Sequence, residues 1–190
     1  MCGIAGIIYK DGEHPIGTEM TRMLQSMKHR GPDSTGYALY GQPSNLVIMR
    51  YKLADANTPR DFEYEDRLRR HGAEVERRLA ALGAVVKKLE EETEYAFRVT
   101  VEYDGDLKRL ADFVEDVPDV EVLSLGHSLE IIKDLGDAET VAKQTSSAAS
   151  RARTRSATCA WRPSPTSTSR ARTPTGRTRS PTSRSSTTGS

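Results

Sequence analysis

The residues best equipped for chemistry stand at the amino terminus, where MCGIAGI places a cysteine directly after the initiator methionine and a glycine directly after the cysteine. Removal of the methionine would make Cys2 the first residue and put nucleophile and base on one amino acid. The thiol attacks, and the free α-amino group, with an ordinary pKa of about 7.7–8.0, takes and returns a proton. Gly3 and Gly6 leave room for a backbone to approach a substrate, and Ile4, Ala5, Ile7 and Ile8 form a short apolar run. That run predicts a strand buried on both faces with Cys2 held rigidly at its end. The bland alternative is a buried thiol without chemistry, the usual fate of a free cysteine.

A second motif follows at Lys28, where the chain reads KHRGPDSTGYALYG. Gly31 and Pro32 force a tight turn, and a guanidinium fixed beside it at Arg30 can bind carbonyls or carboxylates through several donors. Taken alone, this is also an ordinary Pro-Asp turn with a surface arginine. In this order, and with the first motif pinned to position 2, the pair resembles the class II glutamine amidotransferases. Those enzymes hydrolyse glutamine to glutamate and ammonia through an N-terminal cysteine. The resemblance implies that Cys2 is the catalytic nucleophile, that Arg30 helps hold the end of the nucleophile strand, and that Arg30, Gly31 and Asp33 bind substrate or support the active site. It also implies the four-layered αββα sandwich of the N-terminal-nucleophile enzymes.

The elements that must position these residues follow from periodicity. Residues 3 to 9 read as the first strand, followed by a turn at Asp11-Gly12. A helix is expected from Pro15 to about His29, with Met20, Met23, Leu24 and Met27 on one stripe that suits core packing. Residues 35 to 41 and 45 to 50 read as two antiparallel strands joined by Gly-Gln-Pro-Ser. Val75, Leu79, Leu82, Val86 and Leu89 repeat at steps of four and three, which predicts a helix with a narrow apolar seam. Tyr95 to Tyr103 alternates as a strand, Leu107 to Val114 as a short amphipathic helix and Val120 to Leu125 as another strand. The expected organisation is therefore the start of an α/β sandwich over 1–53, an inserted α/β lobe over 54–135 and a return to the sandwich over 136–144.

An insert of this kind, followed by a phrase similar to LGHSLEIIKDLGDAETVA, occurs in the free-standing amidotransferase proteins related to the first domain of glutamate synthase. The resemblance covers about residues 1 to 144 and implies a synthase subunit as the acceptor of ammonia. It calls for no cofactor and no metal. His127, a lone histidine after a glycine, is expected to be structural.

Composition then sets bounds. A chain of 190 residues makes one domain, or one with a small insert. Its two cysteines, Cys2 and Cys159, suggest no disulfide framework and a reducing compartment. The start is too polar for a signal peptide, and no apolar run approaches the ~18 residues a membrane span needs. A cytoplasmic protein is expected.

The net charge of +1 conceals a split, because residues 145–190 hold nine of the 28 basic side chains and none of the 27 acidic ones, leaving 19 basic residues in the body. This Ser, Thr, Arg, Ala and Pro tail has almost no large apolar residue to offset its ordering entropy, so disorder is expected. Taken at face value, the tail favours a second class of function: a catalytically inactive interaction module whose basic segment neutralises nucleic-acid phosphates or another anion without specificity. A third reading makes the tail an out-of-frame translation. Beginning each codon one base earlier permits LGHVRMATESDVDISRAHPYWAYP from Ser156 and VVHNGQ at the end. These are similar to family segments whose arginine grips the α-carboxylate of glutamine and whose Asn-Gly pair stabilises the oxyanion. On that reading the chain is truncated before its glutamine pocket is complete, and its activity is impaired.

Overall fold

The computed structural model describes residues 3–12, 14–30, 33–145, 153–154 and 156–161, with the backbone alone for Arg30 and for the residues after Thr145. It is a mixed α/β structure. One four-stranded antiparallel sheet runs in the order β1 (Ile4–Ile8), β10 (Ser156–Trp161), β3 (Ser34–Tyr40) and β8 (Leu129–Leu135). A second runs β5 (Val85–Glu91), β6 (Ala96–Glu102), β4 (Val47–Lys52) and β7 (Glu121–Gly126). A short ribbon pairs β2 (His14–Pro15) with β9 (Arg153–Thr154). The helices described are α1 (Gly17–Ser26), α2 (Tyr64–Ala81), α3 (Leu107–Glu115) and α4 (Ala138–Gln144), with a 3₁₀ turn at Lys28–Arg30.

The second sheet and its helices follow the order β4-α2-β5-β6-α3-β7. Strand β6 separates β4 from β5, and β4 separates β6 from β7. That is the split β-α-β topology of ferredoxin-like units. Alternation along β4 explains its two faces. Val47, Met49 and Tyr51 turn into an apolar core with Val99 and Val101 of β6, Val75 and Leu79 of α2, and Leu110 and Val114 of α3. Burying each such side chain contributes about 1.5–3 kcal/mol. The intervening Arg50 and Lys52 turn to the other face, and so does Arg98 of β6.

A separate core serves the first sheet. Tyr37 and Leu39 of β3 and Ile132 of β8 pack against Met20 and Leu24 of α1 and Ala138 and Val141 of α4. The methionine stripe of α1 is thus largely core, with Met27 packed at its edge and Met23 partly exposed.

The structure departs from the sequence-based expectations in five places. Strand β1 is not buried on both faces: Ala5 and Ile7 pack toward α1, while Ile4 and Ile8 are 68% and 73% exposed. Strands β3 and β4 do not pair, because residues 41–46 cross from one sheet to the other. That crossing is pinned to the β7–β8 turn by Gly41 N–H donating to Ser128 O at 2.8 Å and Ser44 N–H donating to His127 O at 3.0 Å. The apolar seam expected to run on to Leu89 is broken, since α2 ends at Ala81 and Val86 and Leu89 lie on β5. Sheet membership also shifts: β4, expected in the opening sandwich, is a central strand of the ferredoxin-like unit, and β8, expected in the insert, belongs to the first sheet. Finally, within the segment expected to be disordered, Ser156–Trp161 forms a strand between β1 and β3. The sheet supplies partners for backbone groups that this composition could not have ordered by side-chain burial. The other residues of the tail lie outside those described.

Candidate functional site

Of the four residues singled out by sequence, Cys2 and Gly31 lie outside the described residues, and Arg30 is described through its backbone, as the last residue of the 3₁₀ turn. Asp33 is exposed, immediately ahead of β3. The strand register relates the two motif segments. Ile4 of β1 faces Ala160 of β10, which faces Gly36 of β3, and the next row joins Trp161 to Thr35. The first strand residues after Cys2 and after Asp33 therefore share one end of the first sheet. A second contact agrees with this placement. A Cβ added to Gly3 would stand 3.5 Å from Sδ of Met27, and Met27 leads directly into Lys28–Arg30.

Three residues that sequence reasoning did not single out hold that end in place. Gly136 N–H donates to the Asp33 carbonyl at 3.1 Å, and the Thr35 hydroxyl donates to the Gly136 carbonyl at 2.8 Å. Gly136 adopts φ +112°, a conformation that L side chains rarely take, so the glycine is what lets β8 turn into α4 beside Asp33. Asp137 then caps α4. Its carboxylate accepts from the Thr140 amide at 2.9 Å, from the Thr140 hydroxyl at 2.7 Å and from Gln25 Nε2 on α1 at 3.3 Å. The Thr140 hydroxyl, followed by the Thr140 amide and Gln25, holds this carboxyl below the usual aspartate range. The available sequence signal was Gly-Asp followed three residues later by Thr, an N-cap pattern inside the LGDAETVA phrase.

A buried ionic layer reaches the same sheet end from the ferredoxin-like unit. Lys52 Nζ donates to Asp134 Oδ1 at 3.0 Å, and the Tyr95 hydroxyl donates to Asp134 Oδ2 at 2.7 Å. Burial, and then the hydrogen bond to Asp134, pushes the Tyr95 phenol well up. Asp134 pairs with Thr35 in the β3–β8 register, so this cluster abuts the start of β3. Farther along β8, Glu130 accepts two hydrogen bonds from Arg98, at 2.9 and 3.0 Å, and one from Arg50 Nε at 2.7 Å. Burial alone would raise the Glu130 carboxyl, but these two guanidiniums more than offset it and hold the group low. His127 plays the structural part expected of it, with Nδ1 donating to the Ser44 carbonyl at 2.9 Å.

No family model matches the chain. Among curated proteins, it is 38% identical over 142 residues to the "Putative glutamine amidotransferase" of Methanothermobacter thermautotrophicus, a match covering 72% of this chain and 44% of the relative. It is 30% identical over 138 residues to the "Glutamine amidotransferase-like protein GlxB" of Rhizobium meliloti, covering 72% of this chain and 42% of that protein. These relatives support a glutamine amidotransferase family for the chain. The chain spans less than half the length of either relative.

Among the described residues, no group of three or more His, Cys, Asp or Glu side chains is arranged to hold a metal ion. No helix among them is long and apolar enough to cross a membrane. A cavity of ≈ 390 Å³ beside Lys52, lined also by Asp55, Thr58, Arg67, Asp119 and Glu121, contains none of the four residues singled out by sequence.

Proposed function

We propose that this chain carries the glutaminase chemistry of a class II glutamine amidotransferase, with Cys2 as nucleophile and with the four-layered αββα sandwich of the N-terminal-nucleophile enzymes. The observation that supports this most joins the two motif segments without the tail: a Cβ added to Gly3 would stand 3.5 Å from Sδ of Met27, which leads directly into Lys28–Arg30.

In the proposed reaction the Cys2 thiolate attacks the carboxamide carbon of glutamine, and the C=O electron pair moves to oxygen. Collapse of that oxyanion breaks the C–N bond, the α-ammonium of Cys2 protonates the departing ammonia, and a γ-glutamyl thioester remains. The α-amine then takes a proton from water as the water attacks the thioester. The C–S bond breaks, the thiol is regenerated and glutamate leaves. Arg30 and Gly31 fix the end of the nucleophile strand, and Asp33 supports them through the backbone clip to Gly136. The ammonia passes to a synthase subunit.

The same proposal reads the tail beyond Gln144 as out of frame. An oxyanion donor and a carboxylate clamp are then not supplied, and acylation is slowed by roughly 10²–10³-fold for the missing donor alone. The test is ammonia and glutamate release from glutamine by this chain and by Cys2→Ala. Slow release by the parent chain and background release by the variant are expected. Equal release by both would overturn the Cys2 mechanism.

A further inference from the structure

Among the described residues, strand β5 is an edge strand, hydrogen-bonded to β6 on one side. Three of its seven residues are apolar and open to solvent, with Val85 52%, Val86 40% and Leu89 40% exposed. Its polar residues have an order of their own: Lys87 and Lys88 precede Leu89, and Glu90 and Glu91 follow it. Read outward from Leu89, the strand is cationic in one direction and anionic in the other over the same two steps.

We infer that β5 is a self-complementary interface that pairs antiparallel with β5 of a second copy of this chain, across a two-fold axis at Leu89. In that register Leu89 meets its own copy, Lys88 faces Glu90 and Lys87 faces Glu91, and the symmetry makes each charged pair twice. Sliding by two residues in either direction sets lysine against lysine or glutamate against glutamate at the axis, and a parallel arrangement sets every charge against itself. Opposite charges directly across a ladder stabilise it and like charges oppose it, so one register is selected. A heterologous partner would not need this mirror order, whereas an isologous dimer does.

Lysines and a bulge on an edge strand ordinarily discourage pairing, and β5 carries both, with its register shifting between Val86 and Lys88. The glutamates placed in mirror order convert those lysines from a deterrent into a matching set. Lys87 bonds Glu102 at 2.5 Å in a solvent-exposed pair of small energetic weight, and Lys88 bonds Glu90 along the strand at 2.7 Å, where Glu90 also accepts from the half-buried Arg98 at 2.7 Å through its other oxygen. Docking would join two four-stranded sheets into one of eight strands and cover Val86 and Leu89 on both copies.

Sedimentation velocity of the full 190-residue chain over a wide concentration series tests this. The parent chain should pass from monomer to dimer as concentration rises. Lys87→Glu and Glu91→Lys, each alone, should weaken self-association by roughly tenfold, because each makes two like-charge pairs. An equimolar mixture of the two variants should recover a dimer close to parental strength, which also shows that both variants are folded. A parent chain that stays monomeric throughout, dimers indifferent to either substitution, or a mixture that fails to recover would each overturn the inference. None of these results bears on Cys2.

Discussion

Lys52 and Asp134 show what single residues contribute. Both are almost wholly buried, and Asp134 holds Lys52 and Tyr95 together at the junction of the two sheets. Replacing a buried ion pair outright can be neutral, but removing one partner strands the other charge. Asp134→Ala should therefore cost about 3–5 kcal/mol of unfolding free energy in urea. Arg60→Ala, which breaks an exposed pair with Glu94, should leave the urea midpoint unmoved. Similar midpoint shifts for the two variants would contradict the role given to the buried layer. A strand over residues 45 to 50 was legible in the sequence. That Lys52 would meet Asp134, 82 positions later, was not, because pairing at that distance depends on which sheets the strands join.

At the scale of elements, the end of α2 is set by Gly83. This glycine adopts φ +79°, its N–H donates to Ala80 O at 2.9 Å, and Ala84 N–H donates to Leu79 O at 3.0 Å. That double closure satisfies the last carbonyls and turns the chain into β5. Gly83→Ala forces an L side chain into the left-handed region and should destabilise the chain by about 1–2 kcal/mol in the same urea titration. A neutral substitution would show that the helix stop lies elsewhere. In the sequence, the spacing of Val86 and Leu89 carried the helical pattern past this glycine. Short apolar runs fit either period, and only the glycine separates them. By contrast β6, α3 and β7 fall where alternation and amphipathicity put them, because their patterns are local and uninterrupted.

At the scale of the whole molecule, the two motifs of the proposed site stand out in the sequence because cysteine at position 2 and the RGPD stretch are distinctive in residue type. Their common location at one end of the first sheet was not, since it rests on β10 pairing with both β1 and β3. The composition of residues 145–190 gave no sign that Ser156–Trp161 would enter a sheet, because ladder hydrogen bonds belong to the backbone and leave little mark on residue choice. The account stands on Cys2 as the acylated nucleophile. Its most direct test is peptide-resolved mass spectrometry of the chain after incubation with a glutamine-mimicking electrophile. The account predicts peptides that begin at Cys2 with Met1 removed, a single adduct on Cys2 that excess glutamine suppresses, and an unmodified Cys159. Retention of Met1 on soluble chain, or adducts formed equally on Cys159 and indifferent to glutamine, would contradict it.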